Sequence, residues 1–289
     1  MARHRLSKKH RTIAMALGGA ALLVGGAITA EAASSGSGSA ATGGIAARPV
    51  SLSKPATFTG RAFDTCTAPT LAQMKAWKTA SPYGAAAVYI GGKNRGCAQP
   101  QLTASWVTSV SAVGWKLIPL YVGAQPPCRS GSNPEKMTAA NAASLGATDG
   151  ADAGAKAAAL GMRPGSAVYL DVEGFDLKNT SCKDTVLSYT RAWNRAAHAK
   201  GYRTGFYGFA TSGAAAVAAV SPGTDMPDAI WYAAYDGVAS TTTGYPFGAK
   251  WPVHRRGHQY AIEKKETYGG VTLTVDQNAW DSMVAVVAK

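Results

Sequence analysis

The 289-residue sequence lacks the short motifs of several widespread active sites. It contains no G-x-S-x-G nucleophile elbow, no glycine-rich phosphate loop and no H-E-x-x-H zinc helix. These absences remove the usual sequence support for a serine hydrolase, a nucleotide-binding enzyme or a zinc protease. The five histidines are scattered and no C-x-x-C pair is present. The sequence therefore predicts neither a Cys/His metal site nor a cofactor.

Acidic residues are scarce in this chain. Sixteen Asp and Glu stand against 29 Lys and Arg, which gives a formal net charge of +13 at pH 7. A strongly basic chain is attracted to polyanions. Nucleic acid is not indicated, because the sequence has no basic helix and no basic stretch interleaved with aromatic residues. We therefore expect an anionic cell wall as the partner, and the alternative is a charge that only maintains solubility.

Long hydrophobic runs are missing after the first 30 residues. The apolar run of residues 13–30 follows a basic start and ends at Ala30, the first residue of Ala30-Glu31-Ala32, which offers small residues for cleavage. This pattern predicts a signal peptide over residues 1–33 and secretion, with a single membrane anchor as the alternative. Residues 34–56 are rich in Ser, Gly and Ala and predict a flexible leader. The folded domain is expected over residues 57–289, as a monomer with no membrane span after cleavage.

The rest of the chain alternates short apolar strands with helix-like stretches, which favours a parallel β/α architecture. Helices are predicted after Pro69, after Thr103, in the Ala-rich run that ends at Gly161, and in the segment that ends at Gly201. No helix is predicted between the sixth and seventh strands. Eight strands in about 235 residues are typical of a single (β/α)8 TIM-type barrel. The predicted strands are residues 60–64, 85–90, 117–122, 167–173, 203–209, 229–235, 258–262 and 271–276.

The fourth predicted strand, AVYLDVE, carries two carboxylates on one face. Asp171 and Glu173 are two residues apart, and strand residues i and i+2 point the same way. Asp64 closes the first strand and Asp276 closes the last. Barrel enzymes carry their active sites at the carboxyl ends of the strands, and the first and last strands are neighbours in a closed barrel. We therefore predict that the four carboxylates meet at one catalytic mouth.

A group of carboxylates suits the hydrolysis of a glycosidic bond, which needs a proton donor and a second carboxylate. Glu173, with the longer side chain at the strand tip, is the predicted acid, and Asp171 is its charged partner. Asp64 and Asp276 are expected to orient the substrate or stabilise positive charge on the sugar. The alternatives are a divalent-cation site and carboxylates that are neutralised by basic neighbours.

Aromatic residues on the strands offer platforms for sugar rings. We expect Trp231 and Tyr235 to serve best, because the strand AIWYAAY ends at the mouth, and Gln259 adds a polar group on the seventh strand. Other aromatic residues fall on or just after the strands, and about half of such residues would be core in any barrel. They are Tyr89, Tyr121, Tyr169, Phe206, Tyr232 and Trp280.

The four cysteines all lie in the part expected to be exported. An even number outside the cell predicts two disulfides, with buried free thiols as the alternative. Each cysteine follows one of the first four strands, so all four lie on loops at one face of the barrel. Because neighbouring strands bring successive loops together, we predict the pairs Cys66–Cys97 and Cys128–Cys182.

Several segments resemble one family in combination. They are GRAFDTCTAPTLAQMKAW, VYIGG, WKLIPLYVGAQ and VYLDVEGFD. Together they resemble the actinobacterial DUF1906 family, the Rv2525c-like glycoside-hydrolase-like domains, over residues 58–285. The resemblance implies a secreted TIM-like barrel linked to cell-wall metabolism.

The spacing is also similar to that of the family 25 lysozymes. Those enzymes have an Asp on strand 1, D-x-E on strand 4, W-x-A-x-Y on strand 6, Q-Y on strand 7 and D-x-N near the end. The similarity implies that Glu173 is the acid and adds Asn278 to the site. The corresponding residues are Asp64, Asp171, Glu173, Trp231 to Tyr235, Gln259, Tyr260, Asp276 and Asn278.

These observations lead to one functional expectation and two rivals. We expect a secreted glycoside hydrolase that acts on a cell-wall polysaccharide, with peptidoglycan as the first choice. A non-catalytic wall-binding protein that keeps the barrel and its groove is the main alternative, and a metal-dependent hydrolase is the third.

Overall fold

The computed structural model describes residues 54–288, and the predicted signal peptide and nearly all of the predicted leader lie outside this range. Among the described residues, no helix is long and apolar enough to cross a membrane. Eight strands form a closed barrel in chain order, β1 to β8. The strands are β1 Thr57–Asp64, β2 Tyr83–Gly91, β3 Lys116–Val122, β4 Ala167–Asp171, β5 Arg203–Phe209, β6 Ala229–Ala233, β7 Arg256–Tyr268 and β8 Val271–Met283.

Five helices lie between the first six strands. They are α1 Leu71–Ala80, α2 Ala104–Ala112, α3 Ala142–Ala159, α4 Thr180–Ala199 and α5 Gly213–Val220. Thr103 is the N-cap of α2, as its position predicted, and its hydroxyl accepts a hydrogen bond from the Trp106 amide. In the described segment between β6 and β7 the chain forms no helix, which agrees with its Gly, Thr and Pro content.

The barrel is confirmed, but the direction of its last strand differs from the expectation. Strands β1 to β7 pair in parallel, whereas β8 is antiparallel to both β7 and β1. The reason is the Gly269-Gly270 turn, whose φ values of 58° and 76° are those of a two-residue hairpin turn. The prediction of a parallel eighth strand was therefore wrong, and both hairpin strands are longer than predicted.

Strand alternation divides the apolar side chains into two cores. One core lies between the strands and the helices and contains Phe63, Trp77 and Val168. The other fills the lumen, where Tyr169, Trp231 and Trp280 pack with ring centroids 5.3–6.1 Å apart. Because these three rings close the lumen, any ligand site at the carboxyl ends of the strands has an apolar floor.

Both predicted disulfides are confirmed. Cys66 and Cys97 join the loops after β1 and β2, with 5.7 Å between their Cα atoms. Cys128 and Cys182 join the loop after β3 to the start of α4, with 5.9 Å between their Cα atoms. Both bridges therefore hold loops at the carboxyl end of the barrel.

We expect the double variant Cys66→Ser, Cys97→Ser to lose about 2–4 kcal/mol of unfolding free energy, because the bridge restricts the unfolded chain. Urea unfolding of oxidised wild type and variant measures the difference. A loss below about 0.5 kcal/mol would show that this bridge contributes little to stability.

Candidate active site

The four predicted carboxylates meet at the mouth of the barrel, but two of them lie on elements that differ from those expected. Asp64 and Asp171 end β1 and β4. Asp276 lies within the antiparallel β8, where its Cα pairs with that of Asp64. Glu173 lies two residues beyond the end of β4, so it belongs to a loop and not to the strand. The register between β1 and β8 thus places Asp276 beside Asp64, at the same end of the barrel where the end of a parallel strand would have been.

Asp64 is the best-bonded carboxylate of the site. Its Oδ2 accepts hydrogen bonds from Asn278 Nδ2 at 2.8 Å and Gln259 Nε2 at 3.0 Å, and its Oδ1 accepts one from the Tyr89 hydroxyl at 3.1 Å. It is only 1% exposed. Burial, followed by the charge of Asp276, raises the pKa of Asp64 from 3.8 to about 7, while the three hydrogen bonds act in the opposite direction. Asp64 therefore changes charge near neutral pH.

Asp171 is also buried, with 4% exposure, and its Oδ1 has no hydrogen-bond partner among residues 54–288. Burial raises the pKa of Asp171 well above its usual value, the negative charges of Glu173 and Asp64 add to this, and Arg129 opposes it. These effects favour the protonated form in the ligand-free protein. The expected role of Asp171 as the charged partner therefore does not match its surroundings.

Glu173 is the more accessible member of the D-x-E pair. Its side chain is 34% exposed, and its Oε2 lies 3.2 Å from Nη1 of Arg129 in an ion pair. The Glu173 amide donates to Oε1 of the buried Gln125 at 3.0 Å, and Gln125 Nε2 donates to the Asp171 carbonyl at 3.3 Å. Gln125 therefore fixes the backbone on both sides of the D-x-E turn.

A second layer of hydrogen bonds orients the two amides below Asp64. The oxygen of Gln259 accepts from the hydroxyls of Tyr207 at 2.8 Å and Tyr235 at 3.2 Å. The oxygen of Asn278 accepts from Nε1 of Trp231 at 2.7 Å. Because both amide oxygens accept hydrogen bonds from other side chains, each amide turns its nitrogen toward Asp64. This explains why both amides donate to the same carboxylate.

The predicted aromatic platforms separate into two groups. Tyr235 is 45% exposed at the mouth and packs edge-on against Phe209, and Tyr89 lines the wall beside Asp64. Trp231 is fully buried and acts on the site through Asn278. Tyr121 and Tyr169 are not at the mouth.

Strand alternation explains these two exceptions. Tyr121 points away from the lumen, toward Asp149 and Asp152 of α3. Tyr169 lies in the floor, where its hydroxyl bonds to Ser282 and the Met283 carbonyl. The expectation that either ring faces a sugar is therefore corrected. The same alternation places Phe206 in the outer core and Tyr207 in the site.

The mouth contains a cavity of about 420 Å³ beside Asp64. Its lining combines three carboxylates, an arginine and the disulfide between β1 and β2. The lining residues are Asp64, Thr65, Cys66, Tyr89, Arg95, Gly96, Cys97, Glu263, Thr274 and Asp276. No group of three or more His, Cys, Asp or Glu within residues 54–288 is arranged to hold a metal ion. The arrangement is suited to proton transfer and to binding polar groups of a ligand.

The raised pKa of Asp64 predicts a specific pH dependence of stability. Between about pH 4 and pH 7 the unfolded chain releases this proton and the folded protein keeps it. The free energy of unfolding should therefore fall as pH rises across this window, by up to about 1.4 kcal/mol per unit. Asp64→Asn lacks this contribution, so the difference between wild type and variant should change with pH. Urea unfolding at pH 4.5, 6 and 7.5 measures it, and a constant difference would contradict the shift.

Comparisons with known proteins agree with this geometry. Residues 75–280 match the family described as "Rv2525c-like, glycoside hydrolase-like domain". A comparison with curated proteins found no match.

Similar solved structures share little sequence with this chain. An uncharacterised protein of B. stearothermophilus is 19% identical with a TM-score of 0.53, and the match covers 76% of this chain and 95% of that one. The modular autolysin LytC of Streptococcus pneumoniae is 15% identical with a TM-score of 0.50, over 77% of this chain and 46% of that one. The spore cortex lytic enzyme SleM of Clostridium perfringens is 14% identical with a TM-score of 0.40, over 68% of this chain and 59% of that one. The family match covers more than two thirds of the sequence, and the chain belongs to the Rv2525c-like, glycoside hydrolase-like domain family.

Proposed function

We propose that this protein binds a cell-wall polysaccharide, peptidoglycan in the first place, at the barrel mouth and hydrolyses its glycosidic bonds. The family is glycoside-hydrolase-like, and one solved structure with this fold is named as an autolysin. Two disulfides support an extracellular location, because such bonds persist in oxidising compartments. The basic composition supports attraction to an anionic wall.

One observation carries the catalytic part of the proposal, namely that four carboxyl groups meet at the mouth and that two of them, Asp64 and Asp171, are buried. The pKa of Asp64 is raised to about 7 and that of Asp171 is raised well above its usual value. Crowded carboxyl groups cannot all ionise, so the cluster keeps acid groups available at the pH where water alone would not protonate a leaving group. Such shifts are common at catalytic sites.

The positions of the side chains suggest separate roles. Glu173 is accessible enough to reach a glycosidic oxygen, so we assign it as proton donor. Asp171 lies deeper beside it, and the negative charge of Glu173 disfavours the ionisation of Asp171. Asp64 and Asp276 face the sugar from the opposite wall, where an ionised carboxylate stabilises developing positive charge. Tyr235 offers an exposed ring for stacking on a sugar.

Purified peptidoglycan provides the test. Incubation with the secreted protein should release new reducing ends, equally with and without EDTA, and mass spectrometry of the fragments should show the cleaved linkage. Binding to sedimented peptidoglycan without release would support the non-catalytic alternative. Release that EDTA abolishes would support the metal-dependent alternative. If the protein neither binds nor cleaves peptidoglycan, the proposed substrate is wrong.

A further inference from the structure

The loop between β3 and α3 holds an arginine beside the D-x-E pair. Arg129 directly follows Cys128, which the disulfide joins to Cys182 at the start of α4. The Arg129 amide donates to the Pro126 carbonyl at 3.1 Å, and the Arg129 carbonyl accepts from the Lys136 ammonium. The backbone of Arg129 is thus fixed on both sides, so its side chain starts from a defined position.

The guanidinium of Arg129 meets Glu173 in a half-buried position. Nη1 donates to Oε2 at 3.2 Å, and the two side chains are 27% and 34% exposed. A ligand at the mouth can therefore contact both groups. Nε of Arg129 is buried and has no hydrogen-bond partner within the described residues. A guanidinium has five N–H donors in a planar fork, and this contact with Glu173 uses one nitrogen.

The ion pair is not required to position either partner. The disulfide and the backbone bonds hold Arg129, and Gln125 holds the backbone of Glu173. Half-exposed ion pairs contribute little to the free energy of folding. A positive charge at this point is therefore better explained by what the mouth binds than by the stability of the loop.

The carboxylates of the mouth disfavour the binding of an acidic ligand, and the positive charge of Arg129 counteracts this effect. The negative charges of Glu173 and Asp276 would repel an acidic glycan, even though the chain as a whole is basic. A guanidinium at the rim supplies an opposite charge, and its fork matches a carboxylate geometrically. We propose that Arg129 is a specificity-determining residue that binds a carboxylate of the glycan, so that the site selects acidic over neutral polysaccharide. This inference rests on the glycan-binding function proposed above.

Two ligands that differ in one functional group test the inference. The first is a tetrasaccharide of alternating N-acetylglucosamine and muramic acid with free lactyl carboxylates, and the second is the same molecule with primary amides in their place. Calorimetry gives Kd for each, and mass spectrometry verifies that the ligand stays intact. If wild type cleaves the ligand, kcat/KM for the two forms gives the same comparison. We expect wild type to prefer the carboxylate form about 10- to 100-fold, as a charge-assisted hydrogen bond supplies.

Variants separate the role of Arg129 from a general effect of charge. Arg129→Gln should bind both forms equally, and Arg129→Lys should keep part of the preference because it keeps the charge without the fork. Arg191→Gln removes an exposed arginine of α4 and should behave as wild type. Circular dichroism and urea unfolding show whether each variant is folded.

Each outcome has a defined meaning. Equal binding of both forms by wild type, or an unchanged preference in Arg129→Gln, overturns the inference and leaves the proposed function standing. If wild type binds neither form, both the inference and the proposed glycan-binding function are contradicted. A third ligand carries stem peptides on the lactyl groups. Preference for the first ligand over the amide form assigns the carboxylate of the sugar, as proposed, whereas preference for the third ligand alone assigns a carboxylate of the peptide and overturns the inference.

Discussion

Glu173→Gln should abolish the hydrolysis of peptidoglycan while the protein stays folded. The amide cannot donate a proton to the leaving oxygen, and general acid catalysis contributes about 10²–10⁴ in rate. The substitution keeps the shape of the side chain, and its amide oxygen still accepts a hydrogen bond from Arg129. It also removes a negative charge beside Asp171. The free energy of unfolding should therefore stay within about 1 kcal/mol of wild type or rise.

The release of reducing ends and urea unfolding, measured on the same preparations, test this expectation. Glu135→Gln is a matched control, because Glu135 also forms an ion pair, with Lys93, and is not among the charges that shift the pKa of Asp64 or Asp171. The control should keep wild-type turnover. If Glu173→Gln keeps most of the activity, the proton donor is another residue. If it unfolds, Glu173 is a structural residue.

The sequence was sufficient to predict that the carboxylates meet at the mouth, although not which elements carry Glu173 and Asp276. Asp64 and Asp171 each end an apolar strand, and the carboxyl ends of parallel strands meet at one face of a β/α barrel. Alternation in β8 also held, since Thr274 and Asp276 line the mouth cavity while Val271 and Leu273 pack against the outer core. A period of two residues fixes the face of a side chain whether the strand runs parallel or antiparallel.

The direction of β8 was missed although its signal was present. Gly269-Gly270 between two alternating strands is a hairpin signal. The seventh strand is predicted to end at residue 262, so residues 263–270 are expected to form a loop and the hairpin turn is not recognised. In the structure β7 continues to Tyr268, directly before the two glycines.

Arg129, Gln125 and Tyr207 were missed for a different reason. Arg129 and Gln125 lie on a loop whose path depends on the disulfide to α4 and on bonds to β4, which no local pattern encodes. Tyr207 could have been found, because it pairs in register with both Asp171 and Trp231 on neighbouring strands. Side chains paired in register share a face of the sheet.

Asp64→Ala should be the most destabilising substitution among the four carboxylates. Asp64 accepts three hydrogen bonds in a buried position, from Asn278, Gln259 and Tyr89. Alanine would leave those donors without an acceptor, and a buried unsatisfied donor costs about 1–3 kcal/mol. Removing a buried carboxyl that repels Asp276 offsets part of this loss. We expect a net decrease of about 2–4 kcal/mol in the free energy of unfolding at pH 7.

Asp64→Asn distinguishes the loss of the acceptor from the loss of the charge. Its amide oxygen can accept from Asn278 and Gln259, and the Tyr89 hydroxyl can rotate to accept from the new amide nitrogen. Asparagine should therefore cost less than about 1 kcal/mol. Asp184→Ala, at an exposed position of α4, is the control and should change stability by no more than about 0.5 kcal/mol. Urea unfolding of the three variants at pH 7 provides the comparison. Equal losses for alanine and asparagine would show that charge, and not the network of donors, determines the stability of this wall of the mouth. A large loss for alanine alone would show that Asp64 holds Asn278 and Gln259 in place, and through them the orientation of the site above Trp231 and Tyr207.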